Sequence, residues 1–397
     1  MPHTVVIEAL RTPRGAAKET GALHSVTPME LLAGVLRELA RRTGVDTNEV
    51  ADGVFGCVTQ TGEQGGNIGK SACLLADWSP HLSAVTINRY CASGLSAVNW
   101  AAQQARDADG LAVAGGVEMM SRVPMFGDKV PYYTDRVLGG RIGYVPPPWS
   151  SDLVATRHGF SREDCDGYAA LSQARALAAR SRGAARSLVP VLDAQGQLVL
   201  DHDENIRAGN TLEKLASLRP VYEAGANGLD DWGLAREPGL AQINHVHTAG
   251  NAPCMADGAA AVLVGTAEAA TRLGLPVRAR ILAHADACVP LTQTGAVDAT
   301  HKALAKAGLS VADIDLWEVR DSFAAITLHY IRSLGIPLEK FNVNGSSIAL
   351  GHPMGATGAM LVSCLLDEME TRDLRYGVAA LPGAFGVATA TVFERLR

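Results

Sequence analysis

The sequence predicts an α/β fold built from two similar halves with a loop-rich lobe inserted between them, and three observations carry that prediction. Short apolar runs of strand character alternate with amphipathic helical runs at both ends of the chain. A constant spacing of 264 residues relates Gly44 to Gly308 and Gly94 to Gly358, each pair in matching surroundings. Between about Met120 and His247 the texture changes and the repeat is lost.

The elements follow in chain order. Residues 29–58, "MELLAGVLRELARRTGVDTNEVADGVFGCV", read as an amphipathic helix, a glycine stop, an acidic turn and a strand. The run "SAVTINRY" then predicts a strand feeding the small-residue helix "GLSAVNWAAQQA". Within the lobe, residues 121–150 are rich in Pro, Gly and Tyr, and "SREDCDGYAALSQARALAARSRGA" predicts a helix with Ser161 as N-cap and Glu163 and Asp164 in its first turn. Residues 223–242 have weak periodicity and read as an exposed excursion. The second half repeats the first: "DATHKALAKAGLSVADIDLWEV" reads as helix, stop, turn and strand, and "FNVNGSSIAL" as a strand before the helix "GATGAMLVSCLLDEM". The expected division is residues 1–120 with 248–270 for the first half, 121–247 for the lobe and 271–397 for the second half.

Composition excludes several function classes. The 397 residues are 47% hydrophobic and 19% charged, as in a compact globular core. A net charge of −6 and the absence of Lys/Arg clusters argue against nucleic acid or an anionic membrane as partner. The N-terminal "MPHTVVIEALRTPRG" interrupts its short apolar run with Glu8 and Arg11, which fits neither a signal peptide nor a membrane span, so a cytoplasmic location is expected. Seven cysteines without a C-x-x-C suit neither a disulfide framework nor a zinc site, and most are expected to be small core residues.

The chemistry begins at "NRYCASGLSAVNW". Cys91 stands at a strand-to-helix junction, where unpaired helix N–H groups lower a thiol's pKa and can hold an oxyanion. In "NVNGSSIALGHPMGATG", Gly351 and Pro353 fix a bend that presents His352 in front of a helix in the mirrored half. A pseudo-two-fold brings the two face to face. Nucleophile plus base is the minimum for covalent acyl transfer, with His352 taking the thiol proton and the thiolate attacking a thioester carbonyl.

With these motifs, and with "IEALRTPRG", "LAVAGGVEMMSRVPM" and "HTAGNAPCMADGAAAVLVG", the chain resembles the thiolases over nearly its whole length. The resemblance implies a five-layered αβαβα fold, a homodimer or homotetramer, and an acyl group carried on Cys91. It implies a coenzyme A thioester, or an acyl-carrier protein, as donor, no permanently bound cofactor, and a pantetheine arm passing Asn251, Ala252 and Pro253.

Three departures from the family pattern stand out. The family's C-terminal Cys-x-Gly turn, whose cysteine moves the α-proton of a second acyl-CoA, is here the slightly shorter "ALPGAFG". The Asn of Glu-x-Asn-Glu-Ala-Phe, which orders a water in the oxyanion hole, is Arg320 in "EVRDSF". Pro253 replaces a Ser beside the pantetheine. Arg320, with Gly383 in the blank turn, is therefore the expected contact for an oxyanion or for the acceptor, unless Arg320 pairs with Glu318 or Asp321. The expected function is acyl transfer from Cys91 to an acceptor that needs no cysteine base. The alternatives are a conventional acetyl-CoA acetyltransferase or 3-ketoacyl-CoA thiolase using a different base, and a non-catalytic scaffold of the same fold.

Other residues read as structure. His245 and His247 alternate as on a strand, without a third metal ligand nearby; Gly115 and Gly116 read as close packing at a strand end; Asp257 reads as a loop-holding carboxylate.

Overall fold

In the computed structural model, which describes residues 4–223, 225 and 228–396, nine strands and the two-residue strand Gly15–Ala16 make one mixed sheet. Met1–His3, Ala224, Ala226, Asn227 and Arg397 lie outside the described residues, including part of the stretch 223–242. The nine strands are β1 (Thr4–Arg11), β2 (Val50–Gly56), β3 (Ser83–Ile87), β4 (Leu111–Met119), β5 (Ala256–Thr266), β6 (Ala279–Cys288), β7 (Leu316–Val319), β8 (Tyr376–Pro382) and β9 (Val387–Arg395). Their spatial order is β7-β8-β9-β6-β1-β5-β4-β2-β3.

This order is a palindrome about the β1–β6 contact, where Thr4 to Val6 pair antiparallel with Ile281 to Ala279. Outward from that line, each half places its first strand, an antiparallel last strand, and then parallel strands. The 264-residue repeat is thus a repeat of topology. The halves differ at their outer ends. The first ends in β3, paired parallel with β2 over Asp52–Gly56. The second was expected to end in a strand at "FNVNGSSIAL", but only a single bridge, Trp317 to Phe341, forms there. Asn342 takes the strand's place: its backbone N–H donates to Trp317 O at 2.8 Å, and its side-chain amide accepts from Val319 N–H and donates to Val319 O, both at 2.8 Å. With φ at 43°, Asn342 turns the chain off the sheet, and Ser347–Leu350 forms a short helix.

Helices complete five layers. Helix α1 (Pro28–Thr43) starts in a capping box between Thr27 and Glu30, ends at Gly44 with φ 68°, and covers the outside of the first half. Helices α2 (Ser93–Asp107) and α3 (Met354–Thr371) lie between the two halves of the sheet, and the helical segments Arg162–Arg182, Gly295–Ala307 and Ala324–Leu334 flank the other outer face. β1 shows how the sequence builds this: Val5 and Ile7 join the outer core under α1, while Val6 and Ala9 join the central core with Leu95 and Val98 of α2 and Ala359 and Met360 of α3. All nine residues of β4 are buried, as expected of a strand covered on both faces.

The lobe packs over the second half. Helix α4 (Arg162–Arg182) carries the predicted Ser161 cap, with Asp164 completing a capping box, and packs on α5 (Ala324–Leu334). The described residues of the stretch 223–242 are mostly exposed, as expected, and are pinned where buried Asp230 accepts from Trp149 Nε1 at 2.8 Å and Trp232 stands edge-on against Trp149. Among the described residues no helix is long and apolar enough to cross a membrane.

Candidate active site

Two helix starts meet at the centre of the molecule. A Cβ on Gly358 would stand 1.9 Å from Leu95 N, and one on Gly94 would stand 2.7 Å from Gly355 O. The backbones of α2 and α3 therefore touch at the two residues related by the repeat. The Gly355 carbonyl also lies where a Cβ on Gly116 would sit, at 2.1 Å, so the "AGG" at 114–116 serves close approach. Glu118 ties the two halves together at this point: its fully buried carboxylate accepts from Val58 N, Thr59 N, Gln64 Nε2 and, across the interface, Gly355 N.

Cys91 precedes α2 and His352 precedes α3, and both line one cavity of about 290 Å³. The approach to Cys91 is a strained turn: Tyr90 has φ 49°, held by Asn88 Oδ1 accepting from Tyr90 N at 2.7 Å and by Ser93 Oγ donating to Tyr90 O. Cys91 is partly exposed to the cavity. His352 is anchored through its backbone N–H to Cys254 O at 2.8 Å. Its Nδ1 lies 2.7 Å from Thr357 Oγ1, whose proton goes to Pro353 O, so Nδ1 carries the hydrogen and Nε2 the lone pair.

Arg320 donates to that lone pair, Nη1 to Nε2 at 3.1 Å, and its Nη2 reaches Gln293 Oε1 at 3.4 Å. Burial first, then the guanidinium groups of Arg320 and Arg14, hold the His352 pKa well below the ordinary imidazole value. The alternative ion pair with Glu318 or Asp321 is not formed. Asp321 accepts from Ser172 Oγ and Ile348 N, and its carboxyl is pushed up to about 7, chiefly by burial. Glu318 lines a separate cavity of about 220 Å³ with Arg11 and Arg14, and burial raises it to about 8.

The other expected site residues separate. The Gly383 N–H donates to Val387 O at 2.7 Å, which corrects its expected oxyanion or acceptor contact, since strand pairing already uses that donor. The residue of this turn on the cavity wall is Ala384. It is placed there because Phe385, at φ 58°, turns back and packs its ring 5.4 Å from those of both Tyr90 and Tyr144. Asn251 is enclosed: Nδ2 donates to Asp166 Oδ1 and Val246 O, and Oδ1 accepts from Thr248 N, so it shapes the loop and has no polar group left for a ligand. Ala252 packs on Val154, Phe323 and Ile326, and Pro253 lines the cavity. His245 and His247 lie outside any strand and both bond Asp152, at 2.8 and 2.7 Å. Asp257 accepts from Ser121 N at 2.9 Å, and burial raises its carboxyl to about 6.

Sequence reasoning missed Glu118, Gln293, Thr357 and Cys254. Cys254 places a second thiol on the cavity wall, donating to Ile348 O at 3.5 Å, and Cys288 is exposed, so neither is the core residue expected of most cysteines here. "GNAPCM" already set Cys254 beside the expected pantetheine loop, which was the available signal.

The model of the thiolase N-terminal domain matches residues 4–228 and that of the thiolase C-terminal domain residues 275–395. The chain is 39% identical to a 3-ketoacyl-CoA thiolase of Pectobacterium carotovorum over 410 aligned residues, covering 100% of both chains. Proteins of the same description from Aeromonas hydrophila, at 39%, and Vibrio vulnificus, at 38%, are likewise covered end to end. Matches to both domains of the family, carried on a palindromic sheet, and relatives of 38–39% identity covered end to end lead to one conclusion: the chain belongs to the thiolase family of acyltransferases.

Proposed function

We propose that the chain cleaves 3-ketoacyl-CoA with coenzyme A through an acyl group carried on Cys91. The observation that carries this reading is the placement of Cys91 and His352 at touching helix starts on one cavity. The end-to-end likeness to proteins described as 3-ketoacyl-CoA thiolases supports the substrate. His352 takes the Cys91 proton, the thiolate adds to the keto carbon, and the bond between that carbon and the α-carbon breaks. The departing acetyl-CoA carbanion takes a proton, and the thiol of a second coenzyme A, losing its own proton, displaces the acyl group from Cys91. Coenzyme A thioesters are substrates here and no resident cofactor is required. The proton for the carbanion needs a donor other than the "LPGAFG" turn, which offers the cavity Ala384; Cys254 is the candidate. A homodimer or homotetramer in the cytoplasm completes this reading.

Initial rates of acetoacetyl-CoA cleavage by coenzyme A test it. Measurable turnover that falls on the order of 10²-fold or more in Cys254→Ala is expected. The turn itself favours a second reading, in which Cys91 passes its acyl group to an acceptor needing no carbon base. An acyl adduct on Cys91 by mass spectrometry with no thiolysis would select it, and no adduct would leave only a scaffold.

A further inference from the structure

The cavity wall holds a buried cation with no anionic partner. Arg320 is 2% exposed, its two polar side-chain contacts are the neutral His352 and the carbonyl end of Gln293, and its Nε has no partner. The neighbouring carboxyl groups are turned elsewhere, Asp321 to Ser172 and the Ile348 amide, Glu318 to the second cavity. A guanidinium stripped of water is tolerated when an anion meets it with good geometry, and this one meets none from the chain. The rest of the wall is mostly aromatic and apolar, with Phe126, Tyr133, Tyr144, Tyr222 and Phe323, and the volume of about 290 Å³ exceeds what a two-carbon acyl group fills.

We propose that Arg320 receives a carboxylate on the acyl group of the substrate, so that the preferred donors are dicarboxylic acyl thioesters, and that this carboxylate releases His352 to act. The inference rests on the reading of Cys91 as the acylated nucleophile and His352 as its base. In the free enzyme the Nε2 lone pair is occupied by Arg320, and protonating His352 would set two cations together. A carboxylate bound bidentately across Nη1 and Nη2 draws the guanidinium off Nε2 and Gln293 and leaves a negative charge beside the imidazolium. A transient oxyanion on a neutral acyl-CoA does neither in the ground state.

Acylation of Cys91 in the full-length protein, followed by rapid quench and mass spectrometry, tests this with donors of matched length: butyryl-CoA against succinyl-CoA, and pentanoyl-CoA against glutaryl-CoA. The carboxylated donor of each pair should load about tenfold to a hundredfold faster. Arg320→Met should abolish that preference by slowing the carboxylated donors and speeding the neutral ones, and Arg320→Lys should keep part of it. Calorimetry on Cys91→Ala reads the same preference with Arg320 intact, as tighter binding of glutaryl-CoA than of pentanoyl-CoA. Equal loading of both donors by the native enzyme overturns the proposal. So does an Arg320→Met enzyme slowed alike on both, which would make Arg320 an oxyanion donor. An absence of any adduct from all four donors overturns the acyl-transfer reading itself, and this inference with it.

Discussion

Gly358→Ala is the most demanding test of the site's geometry because it adds one methyl group and no chemistry. The new Cβ would lie 1.9 Å from Leu95 N and 2.7 Å from Gly94 C, both backbone atoms that no rotamer change can move. Ordinary contact begins near 3.4 Å, so α2 and α3 must part by about 1.5 Å at their crossing. Overpacking of this kind costs about 1–3 kcal/mol, lowering the urea midpoint. The larger effect falls on the reaction, since that crossing sets Cys91 against His352 and a misplacement of about 1 Å costs on the order of 10²-fold in rate. The assay pairs urea denaturation with initial rates of acetoacetyl-CoA cleavage and the rate of Cys91 acylation. Gly34→Ala is the control: Gly34 lies inside α1 with nothing within 4 Å of its added Cβ, and the change should stabilise by about 0.5–1 kcal/mol with the rate unaltered. A Gly358→Ala enzyme with native rate and native midpoint would refute the claim that this crossing positions Cys91 and His352 for the proposed reaction.

Three further outcomes follow from the structure. Ala384→Cys should present a thiol to the cavity that iodoacetamide labels and substrate protects, whereas Pro382→Cys should stay unlabelled because that position is buried in β8; the reverse labelling, by peptide mapping, would misplace the turn. In the proposed homodimer, Val85, 46% exposed on the end strand β3, is the pairing edge, so Val85→Arg should lower the mass seen by light scattering to that of a monomer, and an unchanged mass would reject that surface. Glu318 has a folded pKa near 8, above its ordinary 4.5, so its contribution to stability is full below about pH 4.5 and is lost as pH rises through 8. Glu318→Gln should therefore raise the melting temperature at pH 8.5 relative to native and much less at pH 5, and equal gains at both would show that the carboxyl does not titrate as described.

Much of the site was legible where chemistry is written locally. A cysteine before a small-residue helix and a histidine between Gly351 and Pro353 are short-range patterns, and the spacing of 264 residues gave their juxtaposition, realised at Gly94 and Gly358. What escaped were partners chosen across the fold. Nothing near position 118 announces that its carboxylate will bond an amide 237 residues away. Arg320 stands between two acidic residues in sequence, yet strand geometry and burial send all three to different partners. Asn251 looked like a ligand contact because it adjoins the pantetheine loop, but an amide with several backbone groups in reach is used internally first. The expected strand at "FNVNGSSIAL" failed for a related reason, a side chain replacing a backbone.

That replacement sets how many copies can join through their sheets. A molecule open at both ends of its sheet would recruit a neighbour at each and grow without limit, as fibres do. Here Asn342 terminates the β7 end with a side-chain amide that satisfies Val319 on both its N–H and its carbonyl, leaving β3 as the remaining end of the nine-strand order. A building block with one open sheet end can join a copy there only once, so in the proposed homo-oligomer one asparagine limits how far the sheet can be extended.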